Sequence, residues 1–398
     1  MSTPNSDLLG DRPARYGHEF FRPASALWWL YLTGCVVCGV CLVVYFGPSL
    51  SEAKFSVLIL LPVHVIASLT LTWIMLRCDP YRARRPWIML AAFACGATFT
   101  TYSALAANKI FNNFLIHIFD ESTIRVWHAA MVGPTTEEWT KMTGTLVIML
   151  VAKDTLTRPI HGLMVGAFVG LGFQICENIA YGVNNAISGL EGDLSQAALV
   201  TFSRSLTGLN SHNLYGAITG VGVAVLLGRI VGKPWSRSRR IAGFAGFYAL
   251  AWSLHFSWNS SGGAPQAFLL VVPVVTGTVA FTALAFILRW VWRQERLYLT
   301  EAATQVTGNK LTELHQAAIG TRKTRKTYLK QLKKTHGKTA AKTAHTDMHT
   351  YLEHLQAWAR RHTGIDEHTY PTPTPTTPTT PNPLDDDTLY LTAVPQLR

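Results

Sequence analysis

Up to residue 292, runs of about 20 apolar residues alternate with short polar stretches; the pattern then stops. Each run is long enough to cross a hydrocarbon core of about 30 Å. The runs predict an all-α, polytopic membrane protein of about eight spans, near 25–46, 55–76, 87–107, 133–152, 159–182, 208–228, 241–260 and 267–292. Trp28 and Trp29 suit interfacial anchors at the first. Residues 108–132, with Phe111, Phe114, Ile118, Ile124 and Trp127 among polar neighbours, suit an interfacial helix or re-entrant piece. Gly133-Pro134 then opens the fourth span, with proline in a first turn where its missing N–H costs nothing. Residues 196–207 are only moderately apolar and carry Arg204.

Charge assigns the sides. Arg77, Arg82, Arg84 and Arg85, then Lys153 and Arg158, then Arg229 to Arg240, fall in alternate loops, and Arg289, Arg293 and Arg296 close the last span. The loops near 50, 190 (with Glu191 and Asp193) and 262 (Ser261 to Pro265) are nearly free of Lys and Arg. By the positive-inside rule both termini are cytoplasmic. The organisation expected is a polar arm at 1–23, a membrane domain at 24–292, a basic tail at 293–369 and a Pro/Thr-rich, acidic disordered end at 370–398. In the tail, Leu311, Leu314, Met348, Leu352, Leu355 and Trp358 recur at helical spacing, giving one or two amphipathic helices for anionic lipid or a partner.

Composition agrees with a membrane protein: 48% hydrophobic and 15% charged, against about 25% charged in soluble chains. The net charge of +12 sits mostly in short loops and the tail. With no aromatic-basic platform or groove-binding motif, no nucleic acid is expected. The first apolar run is too long for a signal h-region, so no cleavable signal peptide is expected. Cys35, Cys38 and Cys41 have metal-like spacing but apolar surroundings, and are expected to be small packing residues.

Four spans carry polar groups that lipid makes costly, about 2.5–3.5 kcal/mol for a charge at a helix centre. They are Glu137, Glu138 and Lys141; Glu177, Asn178 and Tyr181; His212; and His255 with Asn259. The alternating topology puts all of them within roughly 5–8 Å of the outer boundary, where they can share a water-accessible cavity. Glycines at 162, 166 and 170, and at 208, 216 and 220, form i+4 stripes that continue to Glu177 and include His212. They predict close helix packing that joins those two faces. Such a layer suits glutamate-activated water with His and Asn donors. It also suits an ion or solute path, or helix glue in a scaffold that acts through its tail. His64 and His161 stand alone as structural residues.

The order Glu137-Glu138-x-x-Lys141, Gly170-x-Gly172-Phe173 leading to Glu177-Asn178, His212 with Gly216 and Gly220, and His255-x-x-x-Asn259 resembles the PrsW family of intramembrane proteases. The resemblance covers about 130–260 and is more distant to CAAX prenyl endopeptidases and Abi proteins. It implies an endopeptidase of the cell membrane that cuts a single-span membrane protein near the outer face, with anti-sigma factors as the substrate class. It makes Glu137 and Glu138 the acid/base pair, with Glu177 completing the site and His212, His255 and Asn259 positioning water and oxyanion; Lys141, Asn178 and Tyr181 support them. No cofactor is required on this reading. If zinc is bound, Glu138, Glu177, His212 and His255 are the expected ligands. Oligomeric state is left open.

Overall fold

The computed structural model describes residues 20–188, 194–260, 271–307 and 311–362, and these contain helices and no strand. The expected loops at Glu191–Asp193 and Ser261–Pro265, most of the N-terminal arm and the Pro/Thr-rich end lie outside the described residues. In chain order the helices are α1 Ala26–Glu52, α2 Lys54–Arg77, α3 Pro86–Cys95, α4 Thr101–Leu115, α5 Glu121–Val151, α6 Pro159–Ser188 and α7 Leu194–Thr207. They continue with α8 His212–Leu226, α9 Arg237–Ser260, α10 Val271–Thr307, α11 Glu313–Ile319 and α12 Arg322–His362. A π-helical turn, Gly96–Thr100, fuses α3 to α4.

Among the described residues, five stretches are long and apolar enough to cross a membrane: α1, α2, Pro86–Leu115, α6 and α10. The expected fourth, sixth and seventh spans are α5, α8 and α9, which fall short of that measure. The reason is what they carry. Glu137, Glu138 and Lys141 interrupt α5, while Ser253, His255, Ser257 and small or amphipathic neighbours keep the uncharged part of α9 only moderately apolar. With 15 residues α8 is only about 22 Å long.

Two expectations change at α5. The helix does not begin at Gly133-Pro134 but at Glu121, where the Asp120 carboxylate accepts a hydrogen bond from the Thr123 N–H at 2.9 Å. Pro134 therefore lies inside the helix. Side chains supply donors around it: Thr135 and Thr136 hydroxyls to the carbonyls of Met131 and Val132, and the Asn259 amide to that of Ala129. Neighbouring donors of this kind make proline tolerable in membrane helices. The 108–132 connection is likewise not one interfacial piece; α4 runs to Leu115 and α5 starts six residues later.

Contacts divide the chain into two units. The larger comprises Gly17–Pro80 and Arg84–Gln294; the other joins Tyr81–Ala83 to the described residues from Glu295 onward. In the larger unit α6 is the central pole, with 89% of its apolar stretch buried against 17% in α1 and 22% in α2. Its partners reach its backbone. A Cβ on Gly166 would lie 2.0 Å from the Gly216 carbonyl oxygen, and one on Gly170 2.0 Å from that of His212. On the opposite side, Gly172 and Gly96 put α6 equally close to α3 and the π turn.

In the smaller unit α12 is broken at Gly337, whose φ is +87°. Met348, Tyr351, Leu352 and Leu355 are buried with Leu314 and Ile319 of α11, so its own chain covers the amphipathic stripe. The Gln356 amide donates to Glu295 at 2.6 Å and to the Tyr81 carbonyl at 3.1 Å. Lys323, Lys326, Lys330, Lys333 and Lys334 stay exposed. His315 stacks on Tyr351 with ring centroids 4.2 Å apart.

Gly166→Val forces apart backbones in contact and is expected to cost at least about 1–3 kcal/mol, read as a lower midpoint in detergent melts. Gly246→Ala, where a Cβ meets nothing within 4 Å, should leave the midpoint unchanged or raise it. Burial pushes His315 down to about 4. Below about pH 6.5 the unfolded chain takes up a proton that the folded unit refuses. Stability of this unit should therefore fall as pH drops from about 6.5 towards 4, and His315→Phe should flatten that slope in hydrogen exchange over α11 and α12.

Candidate active site

The site lies where α5, α6, α8 and α9 meet. Successive residues on a helix point about 100° apart, and the two glutamates of α5 use that difference. Glu137 lines a cavity of about 990 Å³, while Glu138 is fully buried behind it. The Lys141 ammonium, one turn on, donates to Glu138 Oε1 at 2.5 Å and lies 3.0 Å from His212 Nδ1. It also sits 5.2 Å from the centroid of the Phe173 ring. Glu138 and Lys141 form a sealed pair beneath the cavity wall.

His212 opens α8 directly after a short 3₁₀ turn, Gly208–Asn210, which the Gln174 amide holds through the Gly208 carbonyl. The glycine contact at Gly170 brings that end of α8 onto α6. His255 comes from α9 and lies against Tyr215, ring centroids 5.4 Å apart. Hydrogen-bond partners assign both tautomers. His212 Nε2 donates to Glu177 Oε2 at 2.8 Å, and His255 Nδ1 donates to Glu138 Oε1 at 2.9 Å. The nitrogens without a proton, His212 Nδ1 (which accepts from Lys141) and His255 Nε2, then face one atom, Glu137 Oε2, at 3.7 and 3.8 Å. That oxygen is buried and has no hydrogen-bond partner among the described residues.

All the expected site residues come together around this point. Glu137, Glu177, His212, His255 and Asn259 line the cavity, as do Asn178 and Tyr181. Asn259 Nδ2 lies 3.4 Å from His255 Nε2. Gly133 leaves the space for this group, since a Cβ there would stand 2.9 Å from that amide and 3.3 Å from Glu137 Oε1. Glu138 and Lys141 are close but do not line the cavity. Two further residues belong to the site. Tyr215, three positions after His212 and so on the same helix face, backs His255. Arg204 of α7 binds the Glu177 carboxylate, donates through Nε to Asn178 at 2.7 Å and lies 4.0 Å above the Tyr181 ring. Its charge in a half-apolar stretch was the available signal; sequence spacing did not supply its partner.

Donor chemistry fits a metal ion. Ligand atoms of Glu137, His212 and His255 all lie within 4.8 Å of one another, and tetrahedral zinc ligands stand about 3.4 Å apart. The expected ligands Glu138 and Glu177 lie outside this triad, because they hold the N–H sides of the two imidazoles. Ionised, Glu137, Glu138 and Glu177 outnumber Lys141 and Arg204 by one negative charge. An added cation would balance it and take over the His212 lone pair that Lys141 approaches.

Lys141→Met strands the Glu138 carboxylate beneath the wall and should destabilise the protein by about 3–5 kcal/mol in detergent unfolding. Adding Glu138→Gln to that variant should restore part of the loss, because the uncompensated charge is gone.

No curated protein and no solved structure matches the chain. A family model described as PrsW family intramembrane metalloprotease matches residues 84–290, just over half of the chain, and spans every cavity-lining residue except Tyr45 of α1. The chain, a multi-pass membrane protein with a buried glutamate–histidine cluster on its cavity wall, therefore belongs to the PrsW family of intramembrane proteases.

Proposed function

We propose that this protease hydrolyses a peptide bond of a single-span membrane protein at the cavity beside Glu137. The observation that carries the reading is the unpartnered Glu137 Oε2, flanked by two imidazole nitrogens whose protons point elsewhere. A water placed there would donate one hydrogen to Glu137 Oε2 and the other to His255 Nε2, and Glu137 would take its proton as it attacks. Glu138 and Glu177 keep the imidazoles in the tautomers that leave those nitrogens without a proton. Asn259 Nδ2, on the cavity wall 3.4 Å from His255 Nε2, would support the developing negative charge of the attacked carbonyl. Where a divalent metal such as zinc is bound, His212, His255 and one Glu137 oxygen would hold it, leaving the other Glu137 oxygen to take the proton, and it would supply the positive charge that polarises the carbonyl. This replaces the cofactor-free reading with one in which the donor set suits a metal.

The wider setting belongs to the same proposal. Eight membrane-crossing helices with cytoplasmic termini put the cavity near the outer face, where an anti-sigma factor is the substrate class that the family resemblance suggests. The exposed lysines of α12 would then lie in the cytoplasm beside anionic lipid.

In detergent, with a single-span reporter, the chain should make one discrete cut near the outer membrane edge. Glu137→Gln and His255→Ala should each lower the rate at least about 100-fold while remaining folded. Normal cutting by both variants would refute the site. Elemental analysis should find a divalent metal in the wild type that is lost in His255→Ala, and chelation should stop cleavage until metal is restored.

A further inference from the structure

Arg204 is the one charged side chain of α7, and its whole donor face is spent on a single turn of α6. One arm binds Glu177 Oε2, Nε donates to Asn178 Oδ1 at 2.7 Å, and the guanidinium plane covers Tyr181. The same Glu177 oxygen receives the Nε2 proton of His212 at 2.8 Å. Glu177 is thus gripped between a guanidinium and an imidazole, and the chain of contacts runs from Arg204 through Glu177 and His212 to the point 3.7 Å from Glu137 Oε2.

Docking of α7 does not need this grip. Ala197 is fully buried in an apolar cluster with Ala53, Leu60, Val183 and Ala186, and Thr201 is buried beside it. Arg204 is two turns further along, at the cavity wall, with its side chain 27% exposed and that of Glu177 20% exposed. A carboxylate so placed would rotate among several orientations if only one imidazole held it. A planar fork bound at two donors and stacked on a ring fixes it in one, which a lysine cannot do. Partners of this kind orient the ring they reach through the carboxylate, and their loss typically costs about 10–100-fold in affinity or activity.

We propose that Arg204 is a positioning residue of the peptidase site: it locks Glu177 so that the His212 ring is held through its Nε2–H, with Nδ1 turned to Glu137 and the Lys141 ammonium. The proposal rests on the reading of the Glu137–His212–His255 cluster as the reaction centre, and the tests separate the two.

The first test is the ¹⁵N spectrum of imidazole-labelled full-length protein, with His212 assigned by His212→Asn. The wild type should show His212 as a single Nε2–H tautomer. Arg204→Gln should loosen the bond from His212 to Glu177, read as a shifted and faster-exchanging Nε2–H signal, and Arg204→Lys should fall between the two. A His212 signal unaltered in Arg204→Gln overturns the proposal. The second test is a double-mutant cycle on reporter cleavage. Arg204→Gln should lower kcat about 10–100-fold with KM nearly unchanged, and should add nothing in a Glu177→Gln background. Additive losses, or a loss confined to KM, would overturn it. A wild-type chain that holds the single tautomer but cleaves nothing would instead sink the functional reading and leave the tautomer result standing.

Discussion

Backbone contact between α6 and α8 is the constraint from which the site follows. In lipid no hydrophobic force pulls one helix onto another, and close approach must come from shape. The glycines at 162, 166 and 170 let the carbonyls of Gly220, Gly216 and His212 come where side chains would stand. That contact leaves Glu177 and His212 within one hydrogen bond of each other. A helix pair held by larger residues would stand a few ångströms further apart, and the imidazole would lose the carboxylate that assigns its proton.

The second constraint is electrostatic. Three buried carboxylates and two cations are not arranged as simple pairs. Each of Glu138 and Glu177 is shared between a permanent cation and a histidine, which leaves Glu137 as the carboxylate on the cavity wall with an unpartnered oxygen. Inside a low-dielectric wall, the shared groups are stable because their charges are answered locally. The unanswered one is where chemistry or a cation can enter. The same division explains why α5 reads as a poor membrane helix: its charges face other polar groups rather than lipid.

Much of this was legible before any coordinates. Glycine stripes at a spacing of four announced the α6–α8 contact, and i, i+4 spacing put His255 and Asn259 on one face. Alternating helix directions predicted that Glu137, Glu177, His212 and His255 would converge. Other features were hidden for physical reasons. Pro134 looked like a helix start because local propensity cannot see Asn259 and the threonines that supply donors around it. The split between Glu137 and Glu138 depends on the rotation of α5 against α9, which spacing alone does not set. Arg204 carried a visible charge but no visible partner, since α7 meets α6 only through the tertiary fold. The tail's apolar stripe showed that it needed a cover; it did not show that α10 and α11 provide one.

The three-residue separation of Lys141 from Glu138 has a consequence for biogenesis. Each isolated charge adds about 2.5–3.5 kcal/mol to the cost of moving a helix from the translocon into lipid. Lys141 can answer Glu138 as soon as α5 has wound one turn, whereas His255 lies 117 residues downstream of that glutamate. The nascent helix can thus shelter one of its two carboxylates by itself while ribosomal synthesis continues. Glu137 has no such companion on its own helix and must wait for α8 and α9 to arrive. Order of synthesis and order of function coincide: the carboxylate that gains no ion-pair partner during assembly is the one the finished protein leaves open at its cavity.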